Sequence, residues 1–359
     1  MTRNLTFRTS DRLLVFAPHP DDETLATGEL IQSAVGAGAA VRVVFATDGD
    51  NNPWPQRWSE KRLRISDADR ARWGERRRAE AKVALARLGV RAESTRFLGW
   101  SDLKLTEKLV ADDAAIDALG AELAEFSPTH VAMPSLRDTH PDHGALRVML
   151  DFALVKTRVR CMRLGYVVHG RDKDGGETHL PLDPARHERK RNALLAHVSQ
   201  ITLSRRRLLR WANQPETFDA IEPEEPSAIH FASDRVLRIP LLPAHRYWRR
   251  HELLLVLDGA RIERARVPLP RLVRPTAELV LARGACSGRV TVELIKGILQ
   301  ITFDGSADGT TGYVKLERTW PRLNIFDAMP WQRLEDFPAL RSADASSAKA
   351  IRVPQRAST

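Results

Sequence analysis

The first residues in this chain that could do chemistry form a short polar run, Pro18-His19-Pro20-Asp21-Asp22-Glu23, directly after the apolar residues 13–17. Two adjacent carboxylates cannot both cap one helix start, and like charges this close raise each other's pKa unless a cation lies nearby. A divalent metal reached by His19 and Asp22 would resolve the conflict and leave Asp21 directed at a water molecule. Each residue taken singly is better explained by a polar turn with a capping Asp, but the whole run is not.

A second polar run, Asp138-Thr139-His140-Pro141-Asp142-His143, follows a predicted strand at 129–133 and precedes a predicted helix. Two histidines three residues apart, with a carboxylate between them, could supply one metal ligand and one acid–base group. A helix start with Asp and His is the simpler explanation of this run alone. Both runs follow strands whose carboxyl ends meet at one sheet edge, so together they predict a metal site.

The two runs offer a typical set of ligands for catalytic zinc. His19, Asp22 and one histidine of the second run make two nitrogen ligands and one oxygen, with a further position open for water. Zinc lowers the pKa of such a water toward about 7 and polarises a carbonyl group. We expect Asp21 to take the proton from that water, and Fe²⁺ is the alternative metal.

The elements that position these runs alternate between short apolar segments and amphipathic ones. This order predicts an α/β fold, a Rossmann-like parallel sheet with helices on both faces. Ligands bind beyond the carboxyl ends of the strands in such sheets. The predicted strands are 13–17, 41–46, 95–98, 129–133 and 164–168, and the predicted helices are 22–37, 75–88, 112–126, 144–155, 184–197 and 203–211.

The character of the chain changes after these helices. Residues 215–226 are rich in Pro and acidic residues and predict a linker or surface loop. Beyond them, short β-type runs separated by turn residues predict a smaller C-terminal β-rich domain at 228–338. The small, polar residues 339–359 predict a disordered tail. The β-type runs are 252–257, 278–282, 289–294 and 299–303.

Composition narrows the class of protein. The 359 residues contain two cysteines, Cys161 and Cys286, without a CxxC spacing, which argues against a disulfide framework or a cysteine zinc site. We find no secretory signal and no apolar run of membrane-spanning length, and expect a cytoplasmic protein. The formal net charge of +10 could attract nucleic acid, but no nucleic-acid-binding signature accompanies the arginine runs. We therefore expect no specific nucleic-acid partner.

The two polar runs together resemble the PIG-L/LmbE-like deacetylase family, which includes the de-N-acetylases of GlcNAc-phosphatidylinositol and the deacetylases of mycothiol and bacillithiol synthesis. The resemblance implies that His19, Asp22 and His143 hold zinc and that Asp21 is the general base. It implies that His140 stabilises the oxyanion or protonates the leaving amine. Asp142 would orient and tune the histidines.

Softer matches extend the resemblance over roughly residues 10–215, and we place the deacetylase domain at 1–220. By the same resemblance Arg77 is a candidate for binding substrate hydroxyls or phosphate. A solvated helix residue is an equally good interpretation of Arg77. The softer matches are Ala46-Thr47-Asp48-Gly49, Arg77-Arg78-Ala79-Glu80, Leu88-Gly89-Val90, Phe97-Leu98-Gly99-Trp100-Ser101-Asp102 and His197-Val198-Ser199-Gln200.

The expected activity is zinc-dependent removal of the N-acetyl group from an N-acetylated amino sugar or sugar conjugate, with release of acetate. Two alternatives stay open: an amidase acting on a larger N-acyl group or thiol-sugar conjugate, and a non-catalytic carbohydrate-binding protein with a residual metal site. Residues 50–70 match nothing in the family. The aromatic residues Trp248, Trp320 and Trp331 could stack on sugars, although tryptophans in a small β domain are more often core.

Overall fold

The structure is a computed structural model that describes residues 3–170, 178–221, 236–240, 251–258, 262–268, 276–280, 289–295, 298–303, 311–318, 326–327 and 329–333. The predicted tail at 339–359, together with Trp248, Trp320 and Cys286, lies outside these residues. Among the described residues, no helix is both long and apolar enough to cross a membrane.

An eight-stranded sheet forms the centre of the fold, in the order β1-β7-β8-β6-β5-β2-β3-β4. The five strands from β6 to β4 pair in parallel, whereas β8 pairs antiparallel with both β6 and β7. The predicted α/β fold is confirmed, with a sheet that is mixed rather than purely parallel. The strands are β1 (Arg3–Asn4), β2 (Arg12–Ala17), β3 (Ala40–Thr47), β4 (Thr95–Trp100), β5 (His130–Pro134), β6 (Met162–Tyr166), β7 (Thr178–His179) and β8 (Thr217–Ile221).

Helices cover both faces of this sheet. Along β2 the side chains alternate, so that Leu13 and Val15 join one apolar cluster while Leu14 and Phe16 join the other. A strand that is covered on both faces is apolar throughout, which explains the uninterrupted apolar residues at 13–17. The helices are α1 (Asp22–Gly36), α2 (Pro53–Glu60), α3 (Asp67–Arg87), α4 (Leu105–Ala111), α5 (Ala114–Phe126), α6 (Pro141–Thr157), α7 (Pro184–Leu194) and α8 (Val198–Ala212).

The segment that resembles nothing in the family contains a helix that periodicity did not reveal. Pro53 and Pro55 lie in the first turn of α2, where a backbone N–H has no partner within the helix, so proline is tolerated there. The next helix, α3, begins at Asp67 rather than at residue 75. The Ser66 hydroxyl caps it by accepting the backbone N–H of Asp69, and the Asp69 carboxylate accepts the backbone N–H of Ser66.

The prediction of a linker at 215–226 is wrong for its first part. Residues Thr217–Ile221 form β8, which pairs antiparallel with β6 and so belongs to the central sheet. Phe218 is fully buried in the apolar cluster beneath α1. The flanking prolines and acidic residues are typical of a loop. The five residues form a strand because they pair with β6.

The C-terminal strands form two antiparallel four-stranded sheets, β11-β10-β15-β16 and β12-β13-β14-β9, in agreement with the predicted β-rich region. The first sheet packs on the large domain, because Leu254, Val256, Tyr313 and Trp331 share an apolar cluster with the side chains of α6. The strands are β9 (Val236–Pro240), β10 (His251–Asp258), β11 (Ile262–Pro268), β12 (Thr276–Val280), β13 (Arg289–Ile295), β14 (Ile298–Phe303), β15 (Thr311–Arg318) and β16 (Gln332–Arg333).

Trp331 belongs to the packing between the two regions rather than to an exposed binding surface. It is fully buried, and a Cβ placed on Gly144 would lie 3.2 Å from its Cδ1. Tyr313 donates a hydrogen bond of 2.8 Å to Asp151 of α6. The C-terminal sheet is thus joined to the helix that begins at the second polar run.

Candidate metal centre and active site

The two polar runs meet where the strand order of the sheet reverses direction. The first follows β2 and the second follows β5, and these strands are neighbours in the sheet. The chain leaves β2 and β5 for helices on opposite faces, which opens a crevice between their carboxyl ends. His19, Asp22 and His143 are all buried in this crevice.

Asp22 brings both predicted metal-binding histidines together. One of its oxygens, Oδ2, lies 3.1 Å from His19 Nδ1 and 3.1 Å from His143 Nε2. The second contact is within ion-pair distance but not aligned as a hydrogen bond, and in this structure the buried His143 Nε2 has no hydrogen-bond partner. A buried nitrogen without a partner is costly unless it binds something. The residues therefore fit a cation held by His19, Asp22 and His143.

Asp138 fixes the orientation of His143. Its Oδ2 lies 3.0 Å from His143 Nδ1 and accepts hydrogen bonds from the backbone N–H groups of Val168 and His169. A carboxylate bonded to one ring nitrogen leaves the other nitrogen free to bind a metal and makes it more basic. Asp138 would have this supporting role toward a metal bound at His143, and sequence reasoning did not assign it.

The far side of the His19 ring contacts two more carboxylates. His19 Nε2 lies 3.1 Å from Asp102 Oδ1 and 3.3 Å from Asp142 Oδ2. Asp142 also accepts the backbone N–H groups of Leu103 and Leu105, at 2.7 and 3.1 Å. It thus anchors the turn after β4 as well as contacting a predicted metal-binding histidine.

The buried carboxylates around His19 and His143 favour a positive charge at these rings. Burial by itself would lower the pKa of His19, but Asp102, Asp142 and Asp22 raise that pKa well above its usual range. Burial is likewise outweighed at His143, where Asp138 and Asp22 raise the pKa to about 9. The carboxylates surrounding these rings are nearly all buried, and they would be stabilised by a divalent cation as well as by protonated histidines.

His140 has a different environment from the other two histidines. Burial, followed by the neighbouring His19 and His143, lowers the pKa of His140 well below its usual range, so the ring is neutral. His140 begins α6 as its N-cap, and its Nδ1 accepts the backbone N–H of Asp142 at 3.3 Å. A neutral ring that accepts at Nδ1 carries its proton on Nε2. His140 can therefore donate a hydrogen bond at that nitrogen.

Asp21 is held in an unusual backbone conformation beside the cluster. Its φ of 134° is rare for a residue other than glycine, and such strain often marks functional sites. Its N–H donates to Glu23 Oε2 at 2.9 Å, and Glu23 Oε1 lies 3.1 Å from His197 Nε2. Burial raises the pKa of Asp21 to about 6, although Arg77 acts in the opposite direction. A carboxylate with this pKa suits a general base near neutral pH.

Arg77 is buried, with only 3% of its surface exposed, so the interpretation as a solvated helix residue is wrong. Its guanidinium donates to the carbonyls of Gly49 and Pro20, at 2.8 and 2.6 Å, and to Asp21 Oδ1 at 3.2 Å. These contacts join the turns after β2 and β3 and hold the Asp21 carboxylate. Whether Arg77 also binds substrate stays a prediction.

Gly49 is required by the position of Arg77, and this provides a stability test. Its φ is +63°, and a Cβ there would lie 1.9 Å from Arg77 Nη1. We expect Gly49→Ala to lower the free energy of unfolding by about 1–3 kcal/mol and to reduce turnover, because the guanidinium must move. Urea unfolding measures the first effect. Gly36→Ala is the control, since its Cβ would meet nothing within 4 Å; equal stability of both variants would contradict the prediction.

Two side chains near the site, His169 and Phe326, were not predicted from the sequence to be site residues. The His169 ring centre lies 5.0 Å from that of His143, and one ligand atom from each of Asp22, His143 and His169 can lie within 4.8 Å of the others. Phe326, from the C-terminal region, has its ring centre 5.4 Å from His169 and 6.2 Å from His140. His169 directly follows the predicted strand at 164–168, but it is a single polar residue and not part of a polar run, and Phe326 follows no predicted strand. Only the fold shows that both lie near the site.

Part of the chain matches a known protein family. Residues 14–153 match the family described as PIG-L: GlcNAc-PI de-N-acetylase. Over these residues the chain is similar to the PIG-L family, and the match covers less than half of the chain. The matched PIG-L domain begins in β2 and ends in α6, so it contains both polar runs and every predicted site residue.

Curated relatives of the PIG-L domain carry the name 1D-myo-inositol 2-acetamido-2-deoxy-alpha-D-glucopyranoside deacetylase. The protein from Mycolicibacterium smegmatis is 37% identical over 162 residues, which cover 40% of this chain and 53% of the relative. That from Mycobacteroides abscessus is 31% identical over 177 residues, covering 45% of this chain and 61% of the relative. The chain thus spans about half the length of the curated relatives it matches.

Two solved structures align with part of this chain. The first is N,N'-diacetylchitobiose deacetylase from Pyrococcus horikoshii, with 17% sequence identity and a TM-score of 0.45. The alignment covers 59% of this chain and 83% of that one. Another is 4-carboxy-2-hydroxymuconate hydratase from Pseudomonas putida, at 18% identity and a TM-score of 0.46, covering 60% and 98%.

Proposed function

We propose that this protein is a zinc-dependent hydrolase that removes the acetyl group from the nitrogen of an amino sugar or sugar conjugate. The observation that carries the proposal is the position of Asp22 Oδ2, 3.1 Å from ring nitrogens of both His19 and His143, with the separate carboxylate of Asp21 beside it. In this proposal the Asp22 carboxylate would bind the cation and the Asp21 carboxylate would accept a proton.

His19, Asp22 and His143 would hold the metal, and two nitrogens with one oxygen suit zinc, with Fe²⁺ as the alternative. When bound, the metal polarises the amide carbonyl and makes water more acidic. Asp138 and Asp142 keep His143 and His19 in place through the contacts described above.

Asp21 would accept a proton from the attacking water. Its Oδ1 is fixed by Arg77 Nη2 at 3.2 Å, and Glu23 fixes its backbone, so the carboxylate is oriented before substrate arrives. The raised pKa of about 6 makes it a stronger base than an exposed Asp while leaving it ionised at neutral pH.

His140 would stabilise the oxyanion that forms when water attacks the amide carbon. Its Nε2 proton provides a neutral donor, and its ring centre lies 4.8 Å from that of His19 and 5.0 Å from that of His143. The leaving nitrogen takes a proton as the C–N bond breaks, so the products are acetate and a free amine. The hydrogen that Asp21 accepted is available for this step.

The sugar ring would lie against Phe326, whose side chain is 36% exposed and adjoins His140. We expect Phe326→Ala to raise KM for an N-acetylglucosamine conjugate about 3- to 10-fold with little change in kcat, because a ring contact contributes about 0.5–1.5 kcal/mol. Steady-state kinetics measure both constants. Phe326→Tyr should retain the wild-type KM, and an unchanged KM in the alanine variant would remove Phe326 from the binding surface.

The most direct test is a screen of N-acetylated sugars and sugar conjugates for released acetate, with a chelated sample in parallel. Turnover that requires added metal and is restored by zinc supports the proposal. Turnover that persists after complete metal removal would overturn it.

A larger acyl group is the second candidate for what is removed. A cleft that is open to solvent lies between α1, the end of β6 and α8, and its lining includes Leu25, Tyr166, Val168 and Trp211. Trp211 contacts the His169 ring at 5.6 Å between ring centres, so the cleft adjoins the cluster. Comparison of acetyl with longer acyl substrates on the same amino sugar distinguishes the two activities.

A further inference from the structure

The exposed large apolar side chains are concentrated on one surface. Of nine such side chains in the described part of the chain, five lie on α2, on the turn that follows it, or on α8. These two helices pack against each other, and we call residues 53–64 and 198–212 the α2–α8 face. The five side chains, with their exposed fractions, are Trp54 (68%), Trp58 (66%), Leu63 (90%), Val198 (46%) and Leu203 (45%).

The same face is strongly basic. It contains eight arginines and lysines but a single acidic residue, Glu60, whose carboxylate accepts a 2.7 Å hydrogen bond from Arg72 of α3. Most of the net charge of the whole chain is therefore concentrated on two short segments. The basic residues are Arg57, Lys61, Arg62, Arg64, Arg205, Arg206, Arg207 and Arg210.

The tryptophans are arranged so that both can enter one surface. Trp54 and Trp58 are four residues apart on α2 and so project from the same side of the helix. The guanidinium of Arg57 lies over the Trp54 ring, 5.1 Å from its centre. Tryptophan next to arginine is typical of segments at the head-group level of a bilayer, where an amphipathic ring and a cation are both accommodated.

The α2–α8 face borders the candidate active site. Asn51, just before α2, donates its backbone N–H to Asp102 Oδ2 at 3.3 Å, and Asp102 Oδ1 contacts His19 Nε2. Trp54 follows Asn51 by three residues, a separation of at most about 11 Å along an extended backbone. A surface bound to this face would therefore lie close to the opening of the site.

We propose that the α2–α8 face docks on an anionic lipid bilayer. Nucleic acid would satisfy the cations, but Leu63, Val198 and Leu203 offer neither hydrogen bonds nor rings to a base. An anionic bilayer accepts both groups, since phosphates pair with arginine and the acyl boundary accepts apolar side chains. Docking does not depend on the proposed deacetylation.

The test is co-sedimentation of the full chain with vesicles of phosphatidylcholine alone and of phosphatidylcholine mixed with phosphatidylglycerol. We expect binding to the mixed vesicles that weakens as salt is added, with a blue shift of tryptophan fluorescence. Trp54→Ala/Trp58→Ala should weaken binding about tenfold and remove most of the shift. Arg205→Gln/Arg206→Gln should weaken it about 30-fold at low salt.

Matched controls lie elsewhere on the surface. Leu182→Ala removes a side chain that is 87% exposed, and Arg158→Gln/Arg160→Gln removes two exposed charges; both should bind like wild type. The proposal is overturned if no vesicle binds, if the tryptophan variant binds unchanged, or if the chain binds nucleic acid but not vesicles. A dimer that dissociates in the tryptophan variant, with no vesicle binding, would assign the face to a second copy. None of these readouts requires turnover, so they stand apart from the acetate assay.

Discussion

Asp21→Asn should abolish nearly all release of acetate while leaving the bound metal in place. General bases contribute about 10²- to 10⁴-fold to rate, and an amide cannot take a proton from water, so we expect kcat to fall by that factor. The substitution preserves shape, and its side-chain oxygen can still accept from Arg77, which lies 3.2 Å away in the native structure. The protein should therefore fold and bind metal normally.

Three measurements check this prediction: kcat for acetate release, metal content by elemental analysis, and the melting temperature. Asp183→Asn is the control, because it removes a carboxylate from the start of another helix, α7, and should keep full turnover. An Asp21→Asn enzyme with more than about a tenth of wild-type kcat would show that another group accepts the proton. Loss of metal in this variant would instead make Asp21 a ligand.

His143→Ala should lose both the metal and the activity. The substitution removes the nitrogen that lies 3.1 Å from Asp22 Oδ2 and has no hydrogen-bond partner in this structure. Loss of a supporting hydrogen bond alone weakens metal binding about 10- to 100-fold, so loss of a ligand should weaken it further. Titration with a competing chelator measures the affinity directly, without any substrate.

Asp138→Asn distinguishes the effect of losing the predicted ligand from the effect of losing the residue that orients it. Asp138 contacts His143 Nδ1 rather than the predicted metal position, so this variant should retain metal with an affinity reduced about 10- to 100-fold. It also addresses the possibility that His143→Ala unfolds because the buried Asp138 carboxylate loses its ion pair with the His143 ring. His187→Asn changes a partly buried histidine that pairs with Glu29 and serves as the control. Wild-type metal affinity in His143→Ala would contradict the assigned ligand set.

The sheet was predictable because its strands are covered on both faces. Leu13, Leu14, Val15 and Phe16 are all almost fully buried, and a strand of this kind needs no polar face. Helix α2 and strand β8 were not predictable because their sequences are typical of loops. The two prolines of α2 lie in its first turn, where they are tolerated, and the pairing of β8 with β6 outweighs the acidic, proline-rich surroundings of that strand.

The sequence by itself predicted the metal ligands and the base, because His19, Asp21, Asp22, His140 and His143 belong to two runs whose composition has no simple structural explanation. Only the tertiary structure decided which groups support them. Asp102 and Asp138 contact His19 and His143, and Phe326 comes from a region more than 180 residues after the second run. The physical reason is that metal ligands follow strand ends in recognisable runs, whereas their partners are selected by proximity alone, from any part of the chain that packs nearby.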